Sequence, residues 1–292
     1  MAGFCEYISN NKESRGMETI AIESIKIKRI CHGHIADADD QLAVEEPMEI
    51  QVAYDSETGY VKKNISVTMC TPGNNEELAA GFLFTEGIIK SLNEIKSIKQ
   101  SSAGSNAVLI TLHEYARPHL QNTTRNFYTT SGCGICGKAS IDAVKTVSVF
   151  SYERDDTKLN AGLFCSLPAE LRKQQAMFES TGGLHASALF DFTGNFILLR
   201  EDVGRHNALD KVIGNAFMNN ALPLNNTVLL LSGRASFELL QKSSMAGIKI
   251  VAAMGAPSSL AAELARENNI TLIGFLKKDG FNIYSGKERI IV

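Results

Sequence analysis

The residues best suited to chemistry are the two cysteines of Ser131-Gly132-Cys133-Gly134-Ile135-Cys136-Gly137-Lys138. Three glycines in positions 132–137 allow the backbone to approach another group closely. The residues that follow, Ala139 to Val147, read as a helix. A thiol at a helix N-terminus meets unpaired amides and the positive end of the dipole, both of which favour the nucleophilic thiolate. Lys138 adds a nearby positive charge. The CxxC spacing by itself has four readings. It fits a dithiol redox pair, although the βαβ pattern that carries such pairs in thioredoxin-like proteins is not seen here. It fits half of a zinc site, for which His113, His119 and Cys165 are available but in no paired spacing. It also fits a persulfide carrier, or two small residues packed in a tight turn.

A second constellation is Arg200-Glu201-Asp202-Val203-Gly204-Arg205-His206-Asn207, in which five of eight residues are charged or titratable. It falls where a strand gives way to a helix, the place where open α/β sheets gather their sites. Arg205 suits a phosphate or carboxylate, and His206 suits proton transfer or a helix start. The plain alternative is a solvated loop capped by Asp202 or Asn207. His185, after Thr181-Gly182-Gly183-Leu184, is a weaker candidate and reads first as a packed, hydrogen-bonded histidine.

Two further turns are ready for anions. Ser232-Gly233-Arg234-Ala235-Ser236 and Ala256-Pro257-Ser258-Ser259 each follow a strand and open a helix, where free amides bind phosphate. Arg234 strengthens the first, whereas simple serine capping accounts for the second. Neither matches a Walker loop or GxGxxG. Phe275-Leu276-Lys277-Lys278-Asp279-Gly280 offers an aromatic ring and two lysines, for a base and a phosphate or merely for an exposed turn.

The elements that must position these residues follow from periodicity. Met48 to Val52 and Ile65 to Met69 alternate apolar and polar residues around the turn Ser56-Glu57-Thr58-Gly59, predicting a hairpin. After Thr71-Pro72-Gly73, a helix capped by Asn74 or Asn75 runs through Leu78 to Phe84 and ends near Gly87. Ala107 to Leu112 is a strand. A polar stretch from His113 to Arg125 suggests a boundary between an N-terminal α+β domain, 1–125, and a second domain, 126–292. The second part alternates: a helix from Pro168 to Phe178 with Pro168 in its first turn, strands His185–Phe190 and Phe196–Leu199, and a helix Asn207–Met218. There follow strand Val228–Leu231, a helix through Phe237, Leu240 and Met245, and strand Ile248–Ala253. Helix Ser258–Glu267 and strands Thr271–Phe275 and Phe281–Tyr284 complete the pattern. Such alternation predicts an α/β fold in a layered α/β/α sandwich.

Composition narrows the function. The 292 residues are 44% hydrophobic and 21% charged, ordinary for a globular protein. A net charge of −3 gives no support to a nucleic-acid or anionic-membrane partner. No apolar run is long enough to span a bilayer, and residues 1–15 lack the apolar core of a signal peptide. Four of the six cysteines (Cys5, Cys31, Cys70 and Cys165) are scattered. In a chain this long without an export signal, a reducing, cytoplasmic setting is expected, with no membrane attachment. Residues 1–20 read as a polar, loosely ordered lead-in.

Taken together these motifs resemble the formate dehydrogenase accessory sulfurtransferase (FdhD/NarQ) family. The likeness rests on Glu45-Glu46-Pro47, Thr71-Pro72-Gly73, Gly81-Phe82-Leu83, Glu86-Gly87-Ile88, the run Cys133 to Ala139, Thr181 to Ala186, Glu201 to Ala208, Asp210-Lys211 and Ser232-Gly233-Arg234. The resemblance implies a sulfur carrier that accepts persulfide sulfur from a cysteine desulfurase. It would pass that sulfur to the bis(molybdopterin guanine dinucleotide) molybdenum cofactor needed by a formate dehydrogenase. It implies Cys133 as the persulfide cysteine with Cys136 assisting, and the stretch Phe275 to Gly280 as cofactor-binding. It further implies a homodimer and a C-terminal domain similar to cytidine deaminases. Ser232, Gly233, Arg234, Arg205, His206 and the two lysines are then expected to hold the dinucleotide phosphates, with no resident metal. A zinc deaminase is rejected, because no H-x-E occurs and Gly132, not proline, precedes Cys133. A cofactor chaperone without sulfur transfer, and a dithiol oxidoreductase, remain as rivals.

Overall fold

The computed structural model describes residues 21–100, 106–120, 150 and 156–292. Cys133, Cys136, the helix expected over 139–147, the lead-in 1–20 and the boundary expected near residue 125 lie outside the described residues.

The chain enters as a hairpin absent from the periodicity reading above, β1 (Ile22–Cys31) and β2 (His34–Ala43). Its two-residue turn places His32 and Gly33 at positive φ. The expected hairpin follows as β3 (Glu46–Ser56) and β4 (Gly59–Cys70). With β5 (Ile95–Gln100) and β6 (Ala107–Leu112) it forms a four-stranded sheet in the order β4-β3-β6-β5. Helix α1 (Asn75–Thr85) carries Glu76 and Glu77 in its first turn, as expected from the dipole. Its capping differs from expectation. Asn74 holds the cap position in the left-handed region and makes no side-chain cap bond. Asn75 instead donates to Asn106 Oδ1 at 3.3 Å, and Asn106 in turn donates to Glu46.

The second sheet has six strands: β8 (His185–Asp191), β9 (Phe196–Asp202), β10 (Thr227–Leu231), β11 (Ile250–Ala253), β12 (Thr271–Lys277) and β13 (Gly280–Ser285). Their order is β13-β12-β11-β10-β8-β9. The central β10-β11-β12 pairings are parallel, and β8, β9 and β13 join antiparallel. Side chains alternate between two cores. Leu229, Leu231, Val251 and Ala253 face one, and Val228, Leu230, Ile250 and Ala252 face the other.

On the first face lie α4 (Arg205–Met218), α5 (Phe237–Met245) and α6 (Ser259–Glu267), through Leu209, Ile213, Leu240 and Ala265. On the second lies α2 (Ala161–Gln174), through Phe164, Leu167 and Leu171, followed by the short α3 (Ala176–Thr181). Helices on both faces give the expected α/β/α layering. One boundary is corrected: α2 starts at Ala161, capped by Asn160 accepting from the Gly162 amide at 2.8 Å, so Pro168 sits inside the helix rather than in its first turn. Burial of Phe164, Leu167 and Leu171 along one stripe outweighs the hydrogen bond that proline forgoes. The helix then breaks at Gln175, separating α3.

α1 crosses α4 at glycines. A Cβ on Gly81 would stand 2.0 Å from the Asp210 carbonyl oxygen, and one on Gly214 would stand 1.8 Å from that of Glu77. Only glycine permits this approach. Through it Met48, Ile50, Val108, Leu78, Leu83, Leu209 and Ile213 belong to one continuous core joining both sheets. At the far end β14 (Ile290–Ile291) pairs with β7 (Leu159–Asn160), and the buried Arg289 donates to the Asn269 carbonyl.

Candidate functional site

The parallel strands β10, β11 and β12 all end at one edge of the sheet, and their loops are tied side by side. Gly255 N donates to the Gly233 carbonyl at 2.9 Å, and Phe275 N donates to the Gly255 carbonyl at 3.1 Å. The approach requires glycine: a Cβ on Gly255 would lie 2.9 Å from the Gly233 carbonyl and the Arg234 nitrogen. Ser232 Oγ accepts from the Ala186 amide at 2.8 Å, which ties the first anion-ready turn to the start of β8. Arg234 is exposed beside it.

A bulge between Gly274 and Lys277 rotates the next residues. Phe275 takes a φ of 53° and stands 44% exposed at the rim. Leu276 turns the other way and is buried in the core beside α2, so its side chain packs rather than facing solvent. Lys277, Lys278 and Asp279 are exposed where β12 turns into β13, and Gly280 pairs with Lys277 across that turn. The two serine turns differ as their sequences suggest. Ser258 Oγ accepts from the Ala261 amide and simply caps α6. Ser236 makes no such cap and lies 3.4 Å from His206 Nε2, with a Glu238 carboxylate oxygen 3.9 Å from the same nitrogen.

The segment 200–207 reaches the same edge, but it is not a solvated loop. Asp202 is fully buried and pairs with the buried Lys211 at 2.8 Å. Asp202 also accepts from the amides of Thr71 and Gly204 and from Asn207 Nδ2. Lys211 donates to the Thr71 carbonyl, and Thr71 Oγ1 accepts from the Val203 amide. Buried charges are tolerated only when paired and hydrogen-bonded in this way. The network fixes the first turn of α4 and thereby places Arg205 and His206. A second buried set, Asp210 with Lys242, Thr85 and Glu86, locks α4 to α5 and α1. Burial would pull Lys242 down, but the carboxylates of Asp210 and Glu86 hold it above its ordinary range. Arg205 Nε is buried and has no hydrogen-bond partner among the described residues.

Beneath the rim, on the α2–α3 side, is a cavity of about 390 Å³. Pro168 and Arg172 of α2, Gln175 and Phe178, the loop Gly182 to His185, Ser232 and Met254 line it. The Arg172 guanidinium lies over the Phe178 ring, 4.9 Å from its centroid. This cation–aromatic pair was not visible in the residue pattern. His185 enters this wall; burial first, and then the charge of Arg205, hold its imidazole below the usual value, so the neutral form is favoured. Glu201 reaches over from β9 to accept from the amides of Phe178 and Met177 at 3.0 and 3.3 Å. Among the described residues, Ser232–Arg234, Arg205, His206 and Phe275–Gly280 thus stand at the same end of the parallel strands; of the residues singled out from the sequence, Ser232 and His185 line the cavity, together with Arg172, Gln175 and Phe178, to which the sequence did not point. No group of three His, Cys, Asp or Glu side chains is gathered as for a metal among the described residues. None of their helices is long and apolar enough to cross a membrane.

Comparison with known proteins matches residues 43–291 to the FdhD/NarQ family. The chain is 49% identical to a sulfur carrier protein FdhD of Mycolicibacterium paratuberculosis, over 90% of this chain and 97% of that one. It is 46% identical to the protein of that name in Streptomyces avermitilis (92% and 95%) and 39% identical to that of Sulfolobus acidocaldarius (92% and 98%). Its fold is similar to the crystal structure of a Desulfotalea psychrophila protein assigned as a formate dehydrogenase accessory protein. The TM-score is 0.69 at 24% identity, covering 93% of this chain and 100% of that one.

Proposed function

The chain belongs to the FdhD/NarQ family, and from that premise we propose that it carries sulfur on Cys133 from a cysteine desulfurase to the bis(molybdopterin guanine dinucleotide) molybdenum cofactor of a formate dehydrogenase. The observation that supports this most is the pairing of Cys133-Gly134-Ile135-Cys136 with near-full-length likeness to proteins named sulfur carriers.

In this mechanism the Cys133 thiolate attacks the terminal sulfur of the desulfurase persulfide. A new S–S bond forms on Cys133, and the desulfurase cysteine leaves as a thiolate. Cys136 then attacks the Cys133 sulfur, expelling the terminal sulfur as a sulfide equivalent and leaving a disulfide that a thiol reductant must reopen. The molybdenum cofactor is the acceptor substrate. Its guanine would enter the cavity against the Arg172–Phe178 face, which offers stacking and cation–π contact. Its phosphates would meet Ser232, Gly233 and Arg234, Arg205 and His206, and the Phe275 to Gly280 turn, where amides and cations collect. The protein works in the cytoplasm, as a homodimer.

The test follows labelled sulfur. The chain is loaded with a desulfurase and radiolabelled cysteine, then mixed with molybdenum cofactor. Label is expected on the cofactor with wild type and not with Cys133→Ala. Unchanged support of formate dehydrogenase activity by Cys133→Ala would favour a chaperone that only binds and delivers the cofactor.

A further inference from the structure

Glu201 does not line the cavity, yet it holds the cavity's most chemically distinctive wall in place. α3 has only six residues, and its cap residue Gln175 makes no side-chain cap bond to it. The amides at its start are satisfied from another element. Glu201 Oε1 accepts from Phe178 N and Oε2 from Met177 N, and the Gln175 side chain also bonds this carboxylate. Glu201 is 5% exposed and stands on β9 opposite Ala186, one residue from His185.

The fixed amide at 178 carries the ring over which Arg172 lies. The same turn of helix continues to Gly182, whose amide donates to the Phe178 carbonyl at 2.7 Å and whose φ is 67°. Thr181 Oγ1 closes the corner, donating to the Met177 carbonyl and accepting from Gly183 N. One buried carboxylate therefore sets the positions of Phe178, the Arg172 stack and the glycine edge that leads to His185. A carboxylate buried among apolar strands costs solvation, which among the described residues is offset by the Met177 and Phe178 amides and the Gln175 side chain.

We propose that Glu201 is the positioning residue of this cavity, fixing the Phe178–Arg172 wall against which a guanine base stacks. The inference rests on the reading that the cavity takes the guanine of the acceptor substrate. It predicts a base-dependent effect. A carboxamide at 201 keeps the volume but presents one acceptor and one donor group where two acceptors stood, so one amide of α3 loses its partner.

The experiment is calorimetric titration of the full chain with GDP and, separately, with inorganic pyrophosphate. Glu201→Gln is expected to weaken GDP about tenfold and leave pyrophosphate unchanged. Phe178→Ala is expected to do the same. The double variant should be no weaker than the worse single one, because both changes remove one wall. Full GDP affinity in folded Glu201→Gln, losses that multiply in the double variant, or an equal loss for pyrophosphate would each overturn the proposal. If Glu201→Gln fails to fold, Phe178→Ala decides: unchanged GDP affinity overturns it and a base-dependent loss supports it. Failure of the wild type to bind GDP while binding pyrophosphate defeats the underlying reading of the cavity, and this inference with it. Full GDP affinity in Glu201→Gln beside a base-dependent loss in Phe178→Ala defeats only the role given to Glu201, whereas full affinity in Phe178→Ala defeats the stacking wall as well.

Discussion

The two faces of the six-stranded sheet are covered differently. On one, α4, α5 and α6 seal the strands, and α1 crosses α4 so closely that two glycine positions leave no room for a methyl group. Two buried ion-pair sets, Asp202–Lys211 and Asp210–Lys242, hold that side in register. On the other face, α2 breaks at Gln175 and the short α3 leaves a cavity of about 390 Å³. Its wall is fixed by one carboxylate and one cation–aromatic contact. The sealed side gives the rim a rigid base, and the looser side supplies space for a ligand. Substitutions should therefore separate into those that cost stability and those that cost binding.

The largest stability effect is expected on the sealed face from Lys211→Met, which leaves Asp202 buried without its cation. A loss of about 3–5 kcal/mol in denaturant unfolding is predicted, and a loss under 1 would show that the pair is not what holds α4. Next, Gly214→Ala forces backbone apart where a Cβ would stand 1.8 Å from the Glu77 carbonyl oxygen. We expect about 3 kcal/mol, read from the same unfolding curves. Ser258→Ala removes only the cap of α6 and should cost about 1 kcal/mol. On the open face, Arg172→Ala should change stability by less than about 0.5 kcal/mol while weakening GDP severalfold in calorimetry, the reverse of the sealed-face pattern. The smallest response belongs to Cys70. Burial first, then the neighbouring Asp202, push its thiol up to about 12. It should therefore resist iodoacetamide in the native protein at pH 8, and peptide mapping should find it labelled only after unfolding.

Most strands of the six-stranded sheet were legible because they are continuous apolar runs between turn residues. Val228 to Leu231 and Ile248 to Ala253 read as strands, and the structure pairs Val228–Leu231 with Ile250–Ala253 in parallel at the sheet's centre. The rim was legible too, since Ser232-Gly233-Arg234 and Phe275 to Gly280 carry glycine and charge at strand ends. The cavity was not. Arg172, Gln175 and Phe178 belong to a helical stretch that looks ordinary until the break at Gln175 turns it against His185, and a break of that kind has no proline or glycine to announce it. Asp202 and Lys211 were seen as charges, and burial was hidden because their partner Thr71 lies 131 and 140 residues away along the chain. The β1–β2 hairpin was missed because its strands mix Ile25 and Ile27 with lysines and aspartates paired across the ribbon, such as Lys28 with Asp37. That pattern reads as polar chain unless the cross-strand pairing is known.

The central claim is that Cys133 carries the sulfur. It is tested most directly by intact and peptide mass spectrometry after incubation with a cysteine desulfurase and cysteine, comparing wild type with Cys133→Ala and Cys136→Ala. The account predicts a reductant-sensitive gain of one sulfur atom that maps to Cys133 and is lost in its alanine variant. No gain on either cysteine beside an active desulfurase would contradict it and leave a protein that binds the cofactor without carrying sulfur.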